Sequence, residues 1–248
     1  MTPALTANNP GFEDVVRAIL AGIAPRGALA AQATMLNLGL ALISDARPLA
    51  GLTALRTLVL TRTRVADLTP LAGLTDLRDL DLKFTRIADI APLAALTRLR
   101  SLILSFTAVQ DIGPLRGLTG LESCYLTGTL VADISALAGL TGLERLDLGG
   151  TALTDIAPLA GLHRLRSLEL AGTRVSDLAP LAGLSQLEFL DIGGCPVGDL
   201  RPLAALTRLR RLDVRGTKTS DLSVLAALTG CEIVTAATVP RRRRGSTS

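Results

Sequence analysis

The sequence contains few aromatic residues and almost no histidine. One Tyr, four Phe and no Trp make up 2% of the 248 residues, whereas hydrophobic residues as a whole make up 48%. The chain is therefore long enough to bury a sizeable core, but that core has to be aliphatic. The single histidine, His163, excludes most histidine metal sites and leaves very little material for a catalytic triad.

Cysteine is also scarce, and the excess charge is confined to one end of the chain. Three cysteines, Cys124, Cys195 and Cys231, are too few and too odd in number for a disulfide framework. This favours a reducing compartment or burial as small apolar groups. The net charge is +4, and Arg241–Arg244 account for all of it, so residues 1–240 are neutral overall.

A repeat of 22 residues fills most of the chain. Eight full copies occupy residues 52–227 without insertion or deletion, and each reads approximately L-x-x-L-x-x-L-x-L-x-x-T-x-V-x-D-L-x-P-L-A-G. A degenerate copy at residues 30–51 precedes them, and a truncated copy begins at Leu228. The L-x-L segment alternates apolar and variable residues, which predicts a strand with one buried face. The second half of each copy predicts a turn or a short 3₁₀ segment.

These patterns predict an α/β solenoid of stacked coils. We expect an arc with a parallel β-sheet on its concave face, short 3₁₀ or turn segments on its convex face and an N-terminal helical cap. The predicted boundaries are residues 1–29 for the cap, 30–239 for the solenoid and 240–248 for a basic disordered tail. The apolar face of the cap helix is predicted to consist of Phe12, Val15, Val16, Ile19, Leu20 and Ile23.

Two polar columns recur at fixed positions and are interpreted as scaffold. An Asp in each copy is expected to accept the N–H two residues further on and so to start a turn, rather than to form a metal ladder. A Thr at the corner after each strand is expected to bond the backbone of a neighbouring coil. The Asp column is Asp45, Asp67, Asp89, Asp111, Asp133, Asp155, Asp177, Asp199 and Asp221. The Thr column is Thr63, Thr85, Thr107, Thr129, Thr151, Thr173 and Thr217, with Cys195 in place of the eighth.

The repeat resembles the leucine-rich repeat, and its 22-residue length with D-L-x-P-L-A-G-L is similar to the internalin-like and SDS22-like class. The resemblance covers roughly residues 30–239 and points to a bacterial protein. It implies that the concave sheet is the surface that binds other proteins. This chain has Thr in the corner column where the family often has Asn, so the hydrogen-bonding role of that column carries over less securely.

If the regular columns are scaffold, recognition depends on the variable positions of the sheet face. Phe84 and Phe106 share one column in adjacent copies, about 5 Å apart at the spacing of strands, and Gly occupies that column in the five following copies. Ile103 and Tyr125 are neighbours in the column between the two leucines of L-x-L, called here the central column. These four side chains predict an exposed apolar and aromatic hot spot. The alternative is that both rings merely pack against neighbouring coils.

Further along, the central column is acidic. It holds Asp147, Glu169, Asp191 and Asp213, which repel one another at strand spacing unless they are paired. The flanking arginines are expected to provide most of that pairing, and the face as a whole predicts a basic or mixed-charge partner. A self-neutralised, solvated face is the alternative. The flanking arginines are Arg145, Arg166, Arg210 and Arg211. The predicted partner-binding set consists of the four hot-spot residues and the four carboxylates together with Phe189, Asp81 and Lys83.

The sequence thus predicts a non-enzymatic protein–protein interaction module that binds an unknown protein partner on its concave face. One alternative is an accessory protein that binds nucleic acid or anionic surfaces through Arg241–Arg244. Another is a secreted adhesin or effector of internalin type. We expect a cytoplasmic monomer with no catalytic residue, cofactor, metal, small-molecule substrate or membrane span.

Overall fold

The computed structural model describes residues 12–235 and places ten short strands of these residues in one parallel sheet that follows the order of the chain. Each strand has three residues because the chain turns away directly after the second inward-facing leucine. The strands are β1 (Met35–Asn37), β2 (Thr57–Val59), β3 (Asp79–Asp81), β4 (Ser101–Ile103), β5 (Ser123–Tyr125), β6 (Arg145–Asp147), β7 (Ser167–Glu169), β8 (Phe189–Asp191), β9 (Arg211–Asp213) and β10 (Glu232–Val234).

The pairing register follows the repeat. From β1 to β9 every residue pairs with the residue 22 positions later, as in Leu58 with Leu80. The last step is one residue shorter, since Leu212 pairs with Ile233. The middle residue of each strand from β1 to β9 is buried, while its two neighbours point to the other face. Equivalent side chains therefore form continuous columns across the sheet.

Short 3₁₀ helices return the chain to the next strand, as the repeat predicts. Seven of the nine in the described region have proline near their first position, where its fixed φ suits the turn and its missing N–H costs nothing. They span Arg47–Leu49, Thr69–Leu71, Ala91–Ala95, Gly113–Gly117, Ser135–Leu137, Ala157–Leu159, Ala179–Leu181, Arg201–Leu203 and Ser223–Leu225. The predicted fold class, an arc-shaped solenoid with the sheet on its concave face, is confirmed.

The predicted role of the turn aspartates is confirmed. All nine accept a hydrogen bond from the backbone N–H two residues further on, with N···O distances of 2.7–2.9 Å. The hydrogen bonds lower the pKa of several of these exposed carboxyl groups, among them Asp67 and Asp133. The column is a set of turn-initiating groups that hold the entry to each 3₁₀ segment.

The predicted role of the threonine column was wrong in one respect. Its hydroxyls do not reach neighbouring coils; they donate to the carbonyl oxygen three residues earlier in their own coil, as in Thr151 to Leu148 at 2.7 Å. Thr173 is the exception, since its hydroxyl lies 3.2 Å from the sulfur of Cys195, which itself donates to Leu170 in the adjacent coil.

Two helices precede the sheet. They are α1 (Phe12–Leu20) and α2 (Ala28–Gln32). Val15, Val16 and Ile19 of α1 are buried in the same core as the leucine columns. The prediction was wrong for Leu20 and Ile23, which are exposed, because α1 ends at Leu20 and the chain then turns through Gly22 in the left-handed region. The side chain of Phe12 lies outside the described part of the structure.

The cysteines contribute to the core. Cys124 and Cys195 are fully buried, and Cys231 is partly buried. Burial, with a smaller effect of the Asp147 charge, raises the pKa of Cys124 to about 12, so its thiol stays protonated. His163 is exposed. Among residues 12–235, no helix combines the length and the apolar character needed to cross a bilayer.

Candidate functional site

The third residue after each strand from β1 to β9 has a left-handed backbone. Its N–H donates to the next coil, as in Phe106 to the Thr127 carbonyl at 2.8 Å, and this bond holds the corner in place. Glycine occupies the position in five later coils, where positive φ is free of strain. Four earlier coils carry side chains there at φ of 58–65°, a conformation that costs on the order of 1–3 kcal/mol per residue. We call these four residues the ridge: Leu40, Arg62, Phe84 and Phe106.

The two aromatic rings of the ridge stack face to face. The centroids of Phe84 and Phe106 are 4.7 Å apart and their planes differ by 9°, which matches the spacing of about 5 Å predicted from the strands. The far face of the Phe106 ring covers Gly128, where an added Cβ would lie 2.7 Å from the ring. The rings therefore pack on neighbouring coils and still leave 39% and 45% of these two residues exposed.

Two cations complete this arrangement. The guanidinium carbon of Arg62 lies 5.0 Å from the centroid of Phe84. The ammonium nitrogen of Lys83 lies 5.3 Å from the Phe84 centroid and 5.6 Å from that of Phe106. These distances are within the range of cation–π attraction. Sequence reasoning included Lys83 but missed Arg62, although Arg62 stands 22 residues before Phe84 in a column otherwise rich in glycine.

The central column runs beside the ridge. Strand pairing places Asp81 next to Ile103 and Ile103 next to Tyr125, and all three are half-buried. Each lies three residues before the corner position of its own coil. The structure thus brings the predicted residues of copies two to four onto one face, where they form two adjacent columns.

The same column continues as the predicted acidic run. Asp147 pairs with Glu169, Glu169 with Asp191, and Asp191 with Asp213 in successive strands. Three of these carboxylates also accept the backbone N–H two residues further on, as in Asp147 from Gly149 at 2.9 Å. Asp81 does the same from Lys83. Sequence reasoning missed this turn-stabilising role, although an Asp followed by a tight corner is its usual signal.

The expected pairing with the flanking arginines was wrong. Arg166 and Arg210 both contact Glu188, at 3.1 and 3.5 Å, since these three residues share the column directly before the strands. Arg211 pairs with Glu232 at 2.9 Å, and Arg145 reaches the Ser123 hydroxyl at 3.4 Å.

Among residues 12–235, one carboxylate of the acidic run forms an ion pair. Arg215, which the sequence analysis did not name, binds Asp213 at 2.5 Å. Asp147, Glu169 and Asp191 form no ion pair within the described residues.

The titration behaviour of the acidic run follows from these contacts. Burial raises the pKa of Glu169, and the charges of Asp147 and Asp191 raise it further. Burial also raises the pKa of Asp191 against the opposing hydrogen bond from Gly193. Burial acts in the same direction on Asp213, but the hydrogen bonds from Arg215 outweigh it and hold that pKa below its ordinary value. The charges of Arg215 and Arg211 lower the pKa of Asp191 in part, whereas no cation acts on Glu169 in this way. Glu169 is thus the carboxylate best placed to gain from an external cation.

A shallow cavity of about 300 Å³ lies over β7, β8 and β9. It brings together Phe189, which is 45% exposed, with three predicted carboxylates and two arginines. The polar and aromatic residues around it include Glu169, Phe189, Asp191, Arg211, Asp213 and Arg215. Three strand spacings, about 14 Å, separate the coil of Phe106 from that of Glu169, so the cavity and the ridge are separate surfaces. Within the part of the chain described, no three Asp, Glu, His or Cys side chains are grouped to hold a metal ion.

The repeat and the observed solenoid define a leucine-rich repeat protein. The sequence model of the family described as Leucine Rich repeats (2 copies) matches residues 141–183. No curated protein matches the sequence. The solved structures to which the chain is similar include internalins, which supports the internalin-like class of its repeat.

Two of these structures are internalins of Listeria monocytogenes. Internalin C2 is 26% identical with a TM-score of 0.72, over 92% of this chain and 93% of its own. Internalin F is 27% identical with a TM-score of 0.62, over 95% and 86%. A leucine-rich repeat protein of Leptospira interrogans shares the fold, with 18% identity and a TM-score of 0.72 over 80% of this chain and 59% of that one.

Proposed function

We propose that this chain is a non-enzymatic module that binds a protein partner on its concave sheet. The leucine-rich repeat fold is the basis for a protein interaction role in general. In more detail, we propose that the partner is anchored by contacts with Phe84, Phe106, Ile103 and Tyr125. The carboxylates of the acidic run and Phe189 add selectivity for charge.

The observation that carries this proposal is the pair of exposed, stacked rings at strained positions. Five other coils place glycine at the same corner, so the fold has no need of a side chain there. Phe84 and Phe106 keep a left-handed backbone that disfavours them and leave large apolar areas open to solvent. Exposed aromatic clusters of this kind are typical of interface hot spots.

The acidic run supports a secondary role in the same interface. Glu169 and Asp191 form no ion pair among the described residues, and the cavity beside them also presents the ring of Phe189. A basic side chain of a partner fits this combination of carboxylates and an aromatic ring. Because Asp147, Asp191 and Asp213 also stabilise their own turns, we assign more of the affinity to the aromatic anchors.

The non-enzymatic assignment is supported by what the nucleophilic groups do. The corner threonines donate their hydroxyls to backbone carbonyls of their own coils. Burial keeps Cys124 protonated.

The alternative of binding through Arg241–Arg244 falls on residues outside the described part of the chain. The cytoplasmic location, the monomeric state and the secreted alternative stay predictions.

Site-specific photocrosslinking tests the proposal. A benzophenone side chain is placed at position 106 on the concave face or, as a control, at the exposed position 163 that precedes β7. We expect the same partner to be crosslinked from position 106 and not from position 163. The capture is expected to fall when Phe84→Gly and Tyr125→Ala are added. Equal capture from both positions, or capture that ignores those two changes, contradicts the proposal.

A further inference from the structure

Arg62 of the ridge and the adjacent Lys83 carry positive charge that no carboxylate in the described part of the chain pairs with. Arg62 and Lys83 contact the rings of Phe84 and Phe106. Neither cation has a carboxylate within 4.0 Å in the region that the structure describes. A cation that lies over a ring keeps N–H donors available for an anion, and the ring shields one side of it from water.

The two coils that carry Arg62 and Lys83 contain further charged side chains of both signs. Arg56 and Arg78 stand in the column before the strands in the same two coils, and they also form no ion pair with any described residue. Asp79 accepts the hydroxyl of Thr57 at 3.1 Å, and Asp81 accepts the N–H of Lys83 at 2.9 Å. Both keep their negative charge, but neither forms an ion pair with Arg62 or Lys83. A partner that approaches here therefore meets exposed apolar rings bordered by unpaired cations.

We propose that the ridge selects a protein segment in which a carboxylate side chain lies close to an apolar one, with the carboxylate bound by Arg62 and Lys83 and the apolar group packed on Phe84 and Phe106. The proposal rests on the proposed function and adds the chemistry of the partner. It also assigns a direction along the sheet, because Glu169 lies about 14 Å from the coil of Phe106. The acidic-apolar part of a partner faces the first coils, and its basic part faces Glu169 and Asp191.

The geometry favours this chemistry over two alternatives. A basic segment would bring like charges against Arg62 and Lys83, which is unfavourable next to a low-dielectric ring surface. A purely apolar segment would cover both cations and leave them without an ion partner, which costs free energy. A segment that supplies both an apolar group and an acceptor avoids both penalties.

Selection of displayed random peptides tests the proposal. Peptides of about 12 residues, a length that spans several strands, are selected on the full chain and on three variants. Phe84→Gly with Phe106→Gly removes the rings and reproduces the residue of the later coils, so the fold is retained. Arg62→Gln with Lys83→Gln removes the cations. Arg64→Gln with Arg86→Gln is the matched control, because these arginines lie in the same two coils, are exposed and do not contact the rings.

We expect peptides selected on the wild type to be enriched in Asp or Glu within two positions of an apolar residue. Their binding is then measured by fluorescence anisotropy. Arg62→Gln with Lys83→Gln is expected to weaken it roughly fivefold to tenfold and to reduce its salt dependence, as for two solvent-exposed ion pairs. The control variant is expected to bind as the wild type does.

The outcomes separate this proposal from the proposed function. Selected peptides that lack acidic residues but need Phe84 and Phe106 overturn the proposal and leave the proposed function standing. So do basic peptides whose binding depends on Glu169 and Asp191. Peptides that bind the ring-free variant as well as the wild type, or no enrichment on the wild type, contradict both.

Discussion

At the level of single residues, the carboxylates of the concave face differ in what surrounds them. Glu169 lies between two other carboxylates without a cation, and its pKa is raised by burial and by those charges. Asp213, two strands away in the same column, is held by Arg215 and has a lowered pKa. In one and the same column, ionised Glu169 therefore destabilises the folded state and ionised Asp213 stabilises it.

These two residues give stability changes of opposite sign. A carboxyl whose folded pKa is raised weakens the fold when ionised, and that effect disappears as pH falls through the folded pKa. Glu169→Gln is therefore expected to raise Tm near pH 7, with a gain that shrinks toward about pH 4. Asp213→Asn is expected to lower Tm near pH 7, and its effect also shrinks in acid. Thermal unfolding followed by circular dichroism across this range measures both, and a lower Tm for Glu169→Gln at neutral pH would contradict the first.

The sequence did not predict which carboxylates the arginines pair with. The sequence placed Arg166 and Arg210 beside the acidic run, and they do lie there. Both side chains are long enough to reach several carboxylates, and Glu188 in their own column is the one they contact. The hydrogen bonds of the turn aspartates were predictable, because each aspartate binds the backbone N–H two residues further on and has no choice among several partners.

At the level of elements, the corner after each strand imposes one backbone conformation on every coil. The five glycines in this column indicate a positive φ at the corner. The strained backbone of Phe84 and Phe106 was therefore predictable from the sequence, although only their contrast with glycine was noted. The strain at the four ridge positions follows from the corner itself. The effect of this strain on stability can be measured separately from partner binding at Leu40. This residue has no aromatic partner among the described residues and is 55% exposed.

Relief of this strain predicts stabilisation. Leu40→Gly is expected to raise the free energy of unfolding by about 1 kcal/mol, since glycine adopts the left-handed conformation without a steric cost. Leu42→Gly is the control: Leu42 is 83% exposed, outside the left-handed region, and its replacement is expected to lower stability by roughly 0.5–1 kcal/mol. Urea unfolding of both variants measures the difference. Equal losses in the two would show that the corner is not strained at position 40.

At the level of the whole molecule, stability is a sum over coils and their interfaces with neighbours. The 22-residue register is constant from β1 to β9, so each internal coil contacts its neighbours in the same way. This regularity made the fold predictable from the sequence almost entirely, whereas the N-terminal helices, which lie outside the repeat, were predicted less well. α2 was not predicted, and α1 ends sooner than its apolar pattern indicated.

Removal of one full copy tests this additivity. Deletion of residues 140–161 joins equivalent positions and is expected to leave a folded, cooperatively unfolding protein whose urea m-value is smaller by about a tenth, since m scales with the surface exposed on unfolding. Deletion of residues 140–150, half a copy, breaks the register and is expected to abolish cooperative unfolding. Circular dichroism and urea titration distinguish the two results, and a cooperative half-copy variant would contradict this view of the array.

The constant register also fixes how far the ridge stands from the acidic run. The two surfaces are carried on the same ladder of strands, so their distance changes only by whole rungs of about 4.8 Å. A chain that gained or lost a copy between them would keep both chemistries and fit partners whose contact points are more widely or more closely spaced. The number of intervening coils therefore sets the distance between the two surfaces, and duplication or loss of a single repeat changes it.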